Sequence, residues 1–281
     1  MFFALIAALS GGCGDIANKI LLARFKLALR QYLPLIFMIL TVIAYFLIPI
    51  NFKFVQEEAL RWSNITIFLV MVTAATVWNT LLAKSLQSEP LHEYETIILT
   101  VPLFTVILAA IFFPAERNLH VLLAGIIASL VLLLFKMKKH HLSLSGNARR
   151  TALAVVFIAV EVVCLRHLLN FYSPSLLYFI RVALLALIFA FIYRPSFRLE
   201  LRQWIGLVAA AFFGTGVMVL KYYAFVQIGV VFTTMVLLLS PFIAYGASYF
   251  YLKERKDFRR DFMCALIIVA CIIYSAIMRF K

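Results

Sequence analysis

The sequence predicts an all-α integral membrane protein of ten transmembrane helices, built as two inverted five-helix repeats around a central cavity. Composition is the first observation: 65% of the 281 residues are hydrophobic and 14% charged, with a mean hydropathy of +1.04, whereas soluble domains carry about a quarter charged residues. The second is a series of apolar stretches at 2–22, 32–50, 64–85, 94–113, 119–136, 151–169, 174–193, 203–225, 230–251 and 259–279. Each is long enough to cross about 30 Å of hydrocarbon as a helix. The third is a duplication. Thr100-Val101-Pro102 is followed by an apolar run to Ala115-Glu116-Arg117, and Leu239-Ser240-Pro241 by one to Lys253-Glu254-Arg255.

A membrane β-barrel would alternate apolar and polar residues along strands of about ten positions, but Val182 to Ile192 is unbroken apolar sequence. The first span begins Met-Phe-Phe with neither a basic region nor a small-residue cleavage site, so it is expected to stay in place as a helix. It contains Ser10-Gly11-Gly12-Cys13-Gly14-Asp15-Ile16-Ala17-Asn18-Lys19. The second span ends at Ile48-Pro49-Ile50, and a solvated connection with Lys53, Glu57, Glu58 and Arg61 follows. Trp78-Asn79-Thr80 lies in the third span, where polar side chains bond across helices or line a cavity. Glu89, His92, Glu93 and Glu95 read as a solvated interfacial loop. Pro102 interrupts the fourth span and Pro241 the ninth. Backbone groups freed by proline are tolerated where a helix faces a cavity, which makes both residues candidate helix breaks or gating points.

The longest polar run divides the spans five and five, as a basic linker (137–150) between a first repeat (1–136) and a second (151–281). Five is odd, so the second repeat enters the membrane from the opposite side. Inverted repeats are a widespread architecture of secondary transporters, which bind substrate near the midplane and rock one half against the other. The net charge of +14 falls mostly in short connections beside helix ends, where it sets topology; no nucleic-acid partner is expected. His140-His141 lacks further clustered ligands. Cys13, Cys164, Cys264 and Cys271 lie within spans without paired spacing and read as packing residues. No metal site and no cofactor are expected.

Asp15 and Glu161 are the acids placed well inside spans. Each is followed by a base, Lys19 after four residues and Arg166 after five. Neighbouring turns of a helix would let acid and base neutralise each other, with the long bases reaching the interface. Intramembrane acids, however, mark proton or substrate pathways by default, so Asp15 and Glu161 are the proton-coupling candidates. Arg181 and Lys221 either reach the interface or meet an anionic substrate group. With Lys19, they join Trp78, Asn79, Tyr222, Tyr223, Thr233 and Thr234 as substrate-binding candidates.

The duplicated proline and Glu-Arg pairs, with Arg181 opening the seventh span as Arg-Val-Ala, resemble the drug/metabolite transporter superfamily in its ten-helix EamA-like branch. The resemblance implies a secondary active transporter of a small metabolite, amino acid or drug, often an exporter, in a bacterial or archaeal cytoplasmic membrane. The expected partners are a small-molecule substrate and the lipid bilayer, with the chain a monomer or homodimer. A gradient-driven exchanger or uniporter of an anionic metabolite is the alternative. Gly12-Cys13-Gly14-Asp15 also spells the Gly-x-Gly-Asp of intramembrane aspartyl proteases. That chemistry needs two carboxyls sharing a proton, and the other aspartates, Asp257 and Asp261, lie in or beside the loop before the last span. No Gly-x-x-x-x-Gly-Lys loop is present, so an ion or substrate gradient would supply the energy and no enzymatic activity is expected.

Overall fold

The computed structural model describes residues 1–19, 21, 25, 27–88, 100–136, 146–240, 242 and 258–279; side chains are described for all of these except 15, 16, 19, 86–88, 135, 136, 146–148, 258–261 and 279. Besides a single-turn 3-10 helix, Pro114–Glu116, the described residues form eleven α-helices. They are α1 (Phe2–Lys19), α2 (Leu29–Leu47), α3 (Gln56–Ala59), α4 (Trp62–Ser88), α5 (Val101–Phe112), α6 (Leu119–Lys136), α7 (Gly146–Leu168), α8 (Pro174–Tyr193), α9 (Leu201–Ile228), α10 (Val230–Leu237) and α11 (Phe258–Arg279). Every expected span overlaps one of them. Five helices, α2, α4, α7, α8 and α9, are long and apolar enough to cross a membrane, while α1, α5, α6 and α11 contain shorter apolar helices.

Local chemistry sets the ends. Ser173 is extended (φ −67°, ψ 151°) and Pro174 opens α8, a position where the N–H that proline lacks would have had no intrahelical partner. Glu200 and Gln203 form a reciprocal capping box at the start of α9, satisfying two amide donors that the helix leaves open. Pro102, the candidate helix break, stands in the first turn of α5, where proline is readily accommodated; the part of its expected span before residue 100 lies outside the described residues. Pro241, His140, His141 and the 89–95 acidic cluster lie outside the described residues.

The helices pack as antiparallel pairs. Along α1 and α9, Leu21 meets Gly206, Gly14 meets Phe213 and Gly214, and Gly11 meets Val217, while the rings of Phe3 and Tyr223 are 5.5 Å apart. A Cβ on Gly11 would come within 2.5 Å of Ser240 Oγ, so this glycine is there for close helix approach. Polar contacts join α4 to α7: the Thr151 hydroxyl donates to Ser85 Oγ at 2.9 Å, the Trp78 indole N–H donates to Glu161, and a His167 ring nitrogen lies 3.0 Å from Asn64 Oδ1. Between α2 and α8, Arg30 Nε donates to the Tyr193 carbonyl at 2.8 Å, and the Phe37 and Phe189 rings are 5.2 Å apart. In the α6–α11 pair, His120 meets the Tyr274 hydroxyl at 2.9 Å.

The first copy of the duplicated Glu-Arg motif works as a clamp on helix ends. Glu116 accepts hydrogen bonds from the backbone N–H of Val230 (2.7 Å) and Val231 (3.2 Å) at the start of α10. Its carboxylate meets the positive end of the helix dipole there. Arg117 donates to the carbonyls of Ala110 and Ile111, both at 2.8 Å, at the end of α5. Gly229 makes the junction possible with φ of 71°, since a Cβ there would sit 2.4 Å from Glu116 Oε1. Glu254 and Arg255 lie outside the described residues.

Candidate functional site

Glu161 lies in the middle of α7 and is 5% exposed; Arg181, eight residues into α8, is 2% exposed. A buried carboxylate is stable only when its charge and lone pairs are met. One Glu161 oxygen accepts from Arg181 Nε and the other from Trp78 Nε1. The ion pair thus lies between α7 and α8, and the indole ties it to α4.

Two of the alternatives drop out. Arg181 does not reach the interface; it is the buried counter-ion of Glu161. Arg166 does not neutralise Glu161 from the neighbouring turn. Five residues on a helix of 3.6 per turn turn the side chain about 140° away, and Arg166 Nη1 donates to Asn170 Oδ1 at 3.3 Å with its guanidinium 5.9 Å from the Phe113 ring.

From α9, Tyr222 and Lys221 approach the pair beside Tyr178, which stands one turn before Arg181 on α8. Tyr222 is fully buried and its ring meets that of Tyr178 edge-on, centroids 6.0 Å apart. Lys221 is half-buried, with its ammonium 5.7 Å from the Phe225 ring, a favourable placement for a cation.

Several other candidates are turned to backbone carbonyls. Asn79 donates to the Ala75 carbonyl at 2.8 Å, and Thr233 to that of Gly229 at 2.6 Å. Tyr223 donates to the Ile50 carbonyl at 3.2 Å, beyond the end of α2. Thr234 is buried beside Thr233. The backbones of Asp15 and Lys19 belong to α1, but their side chains lie outside the described ones. Asp15 follows Gly14, which packs on Phe213 and Gly214.

Two residues at the site went unnoticed in the sequence. The Tyr178 hydroxyl donates to Thr215 Oγ1 at 3.4 Å, and both residues are buried. Tyr178 is three residues before Arg181 and Thr215 seven before Tyr222, spacings that put each on the same helix face as its neighbour. That periodicity is the signal by which they could have been found.

Residues 151–276 match the model of the EamA-like transporter family, the same family that the motifs resembled. This segment includes Glu161, Arg181, Lys221 and Tyr222 and excludes Trp78. One of the similar solved structures, a crystal structure of a protein, covers 99% of this chain and 96% of its own at a TM-score of 0.75 and 14% sequence identity, a likeness of fold. No curated protein matches the chain.

Proposed function

We propose that this integral membrane protein, whose residues 151–276 match the EamA-like transporter family, is a secondary transporter that moves small solutes by alternating access between two inverted halves. The observation that carries the reading is the buried Glu161–Arg181 pair, held to the first half by Trp78. Charges in the interior of a membrane protein are costly and mark solute or ion pathways, and a scaffold has no need of them.

The helix pairings support the inverted arrangement. With α1, α2, α4, α5 and α6 taken as the first half and α7 to α11 as the second, exchanging the halves turns the α1–α9 pairing into α7–α4. The same exchange returns α2–α8 and α6–α11 to themselves. Counterpart helices that pack antiparallel are what opposite insertion requires.

Both Glu161 oxygens hold donors, so its proposed role is counter-ion and organiser of the site. Proton coupling is assigned to Asp15. The reading requires that solute flux in proteoliposomes respond to an imposed pH gradient in the wild type. In Asp15→Asn, flux down the solute's own gradient should persist and the response to pH should vanish. A response retained in Asp15→Asn would remove Asp15 from coupling, and no response in the wild type would make transport a gradient-driven exchange or uniport. Export is the direction that the family resemblance implies.

A further inference from the structure

We infer that Lys221, Tyr222 and the free edge of Arg181 form an anion-receiving subsite, which takes the carboxylate or phosphate group of a small organic solute. The inference rests on the transporter reading for its purpose, but the binding it asserts can be measured without transport.

Glu161 and Arg181 form a buried ion pair, and Lys221 stands on α9 next to Tyr222, whose ring meets that of Tyr178 one turn before Arg181. Together the three charged groups make two cations and one carboxylate. That carboxylate is already taken by Arg181 Nε and Trp78 Nε1. Among the described residues, no carboxylate forms a salt bridge with Lys221, whose described contact is the Phe225 ring.

Asp15 is badly placed to serve as its counter-ion. On the antiparallel α1–α9 seam, Gly14 meets Phe213 and Phe3 meets Tyr223, which puts Lys221 level with the segment around Ile6. Asp15 is nine residues further along α1, about 13 Å at 1.5 Å per residue.

The hydrogen-bond inventory points the same way. The Tyr222 hydroxyl is buried with no hydrogen-bond partner among the described residues, an uncommon condition that calls for an explanation. No described residue accepts a hydrogen bond from the terminal nitrogens of Arg181. An ammonium and a guanidinium are donors only, and a phenol can donate as well. What the cluster lacks is therefore an acceptor carrying negative charge. A cationic solute would have to displace Arg181 or Trp78 to reach Glu161. The rings of Tyr178, Tyr222 and Phe225 close by suit a solute with an apolar or aromatic body behind its anionic group.

The test uses four ligands of similar shape: benzoate, phenyl phosphate, neutral benzamide and cationic benzylamine. Each is titrated over the same concentration range into protein in lipid nanodiscs, and the melting temperature is read, because a ligand bound to the folded state raises it. The wild type should be stabilised by benzoate, by phenyl phosphate or by both, and by neither benzamide nor benzylamine. Which anion binds separates a carboxylate subsite from a phosphate one. Lys221→Met should weaken anion binding at least tenfold while melting no lower than the wild type without ligand, and Lys221→Arg should keep the binding. Tyr222→Phe supplies a second variant and should weaken it several-fold. The subsite is overturned if neither anion binds, if benzamide or benzylamine stabilises as much as the anions, or if Lys221→Met binds them as the wild type does. Flux is read separately. Anion binding without flux of any solute would leave the subsite and remove the transporter reading, whereas flux of a cation without anion binding would do the reverse.

Discussion

Glu161→Leu is expected to destabilise the protein by about 3–5 kcal/mol, since removing one partner of a buried ion pair strands the other. Arg181 would be left 2% exposed with its counter-ion gone, and the Trp78 indole would lose its acceptor. The prediction has a built-in control. Replacing both partners, as Glu161→Leu/Arg181→Met, removes the stranded charge and should restore most of the lost stability, because apolar residues of similar volume substitute for buried pairs at little cost. Unfolding of the purified variants in mild detergent measures both effects. A single variant as stable as the wild type, or a double variant no better than the single, would mean that the two charges do not depend on each other for burial.

Gly229→Ala should damage the fold far more than its single added methyl group would suggest. At φ of 71° the backbone occupies a region that costs a residue with a Cβ about 1–3 kcal/mol. The new methyl group would also displace the Glu116 carboxylate from the N–H groups of Val230 and Val231. Glu116→Ala removes the same cap without the backbone strain and should cost about 0.5–2 kcal/mol. Thermal unfolding should therefore rank the wild type above Glu116→Ala and Glu116→Ala above Gly229→Ala. If Gly229→Ala melts with the wild type, Glu116 is not what holds the start of α10.

Hydropathy made the spans legible, because each must carry enough apolar residues to be helical in lipid whatever it packs against. The expected 174–193 coincides with α8, and 119–136 with α6. Boundaries were weaker where a helix runs on into polar sequence, as at the start of α7, which begins at Gly146 inside the expected linker. The Glu161 and Arg181 positions were legible as intramembrane charges, but their pairing was not. Arg166 is nearer in sequence, and Arg181 meets Glu161 because α7 and α8 both pack on α4. The roles of Tyr178 and Thr215 depend likewise on how α8 and α9 pack. The Glu116-Arg117 repeat was visible as a motif, while its action on the ends of two other helices needed three dimensions. Asn79 and Thr233 were legible as polar residues within spans, but that each is met by the carbonyl one turn earlier was not.

Carriage of small solutes through the Glu161–Arg181 site is tested most directly by incubating proteoliposomes with a mixture of amino acids, organic acids, sugar phosphates and cationic drugs, then assaying the lumen by mass spectrometry. The wild type is predicted to admit at least one small anionic solute above the level of protein-free liposomes, and folded Glu161→Leu/Arg181→Met to admit it only at that level. A wild-type lumen identical to the protein-free one for every solute, or entry unchanged in the double variant, would contradict it.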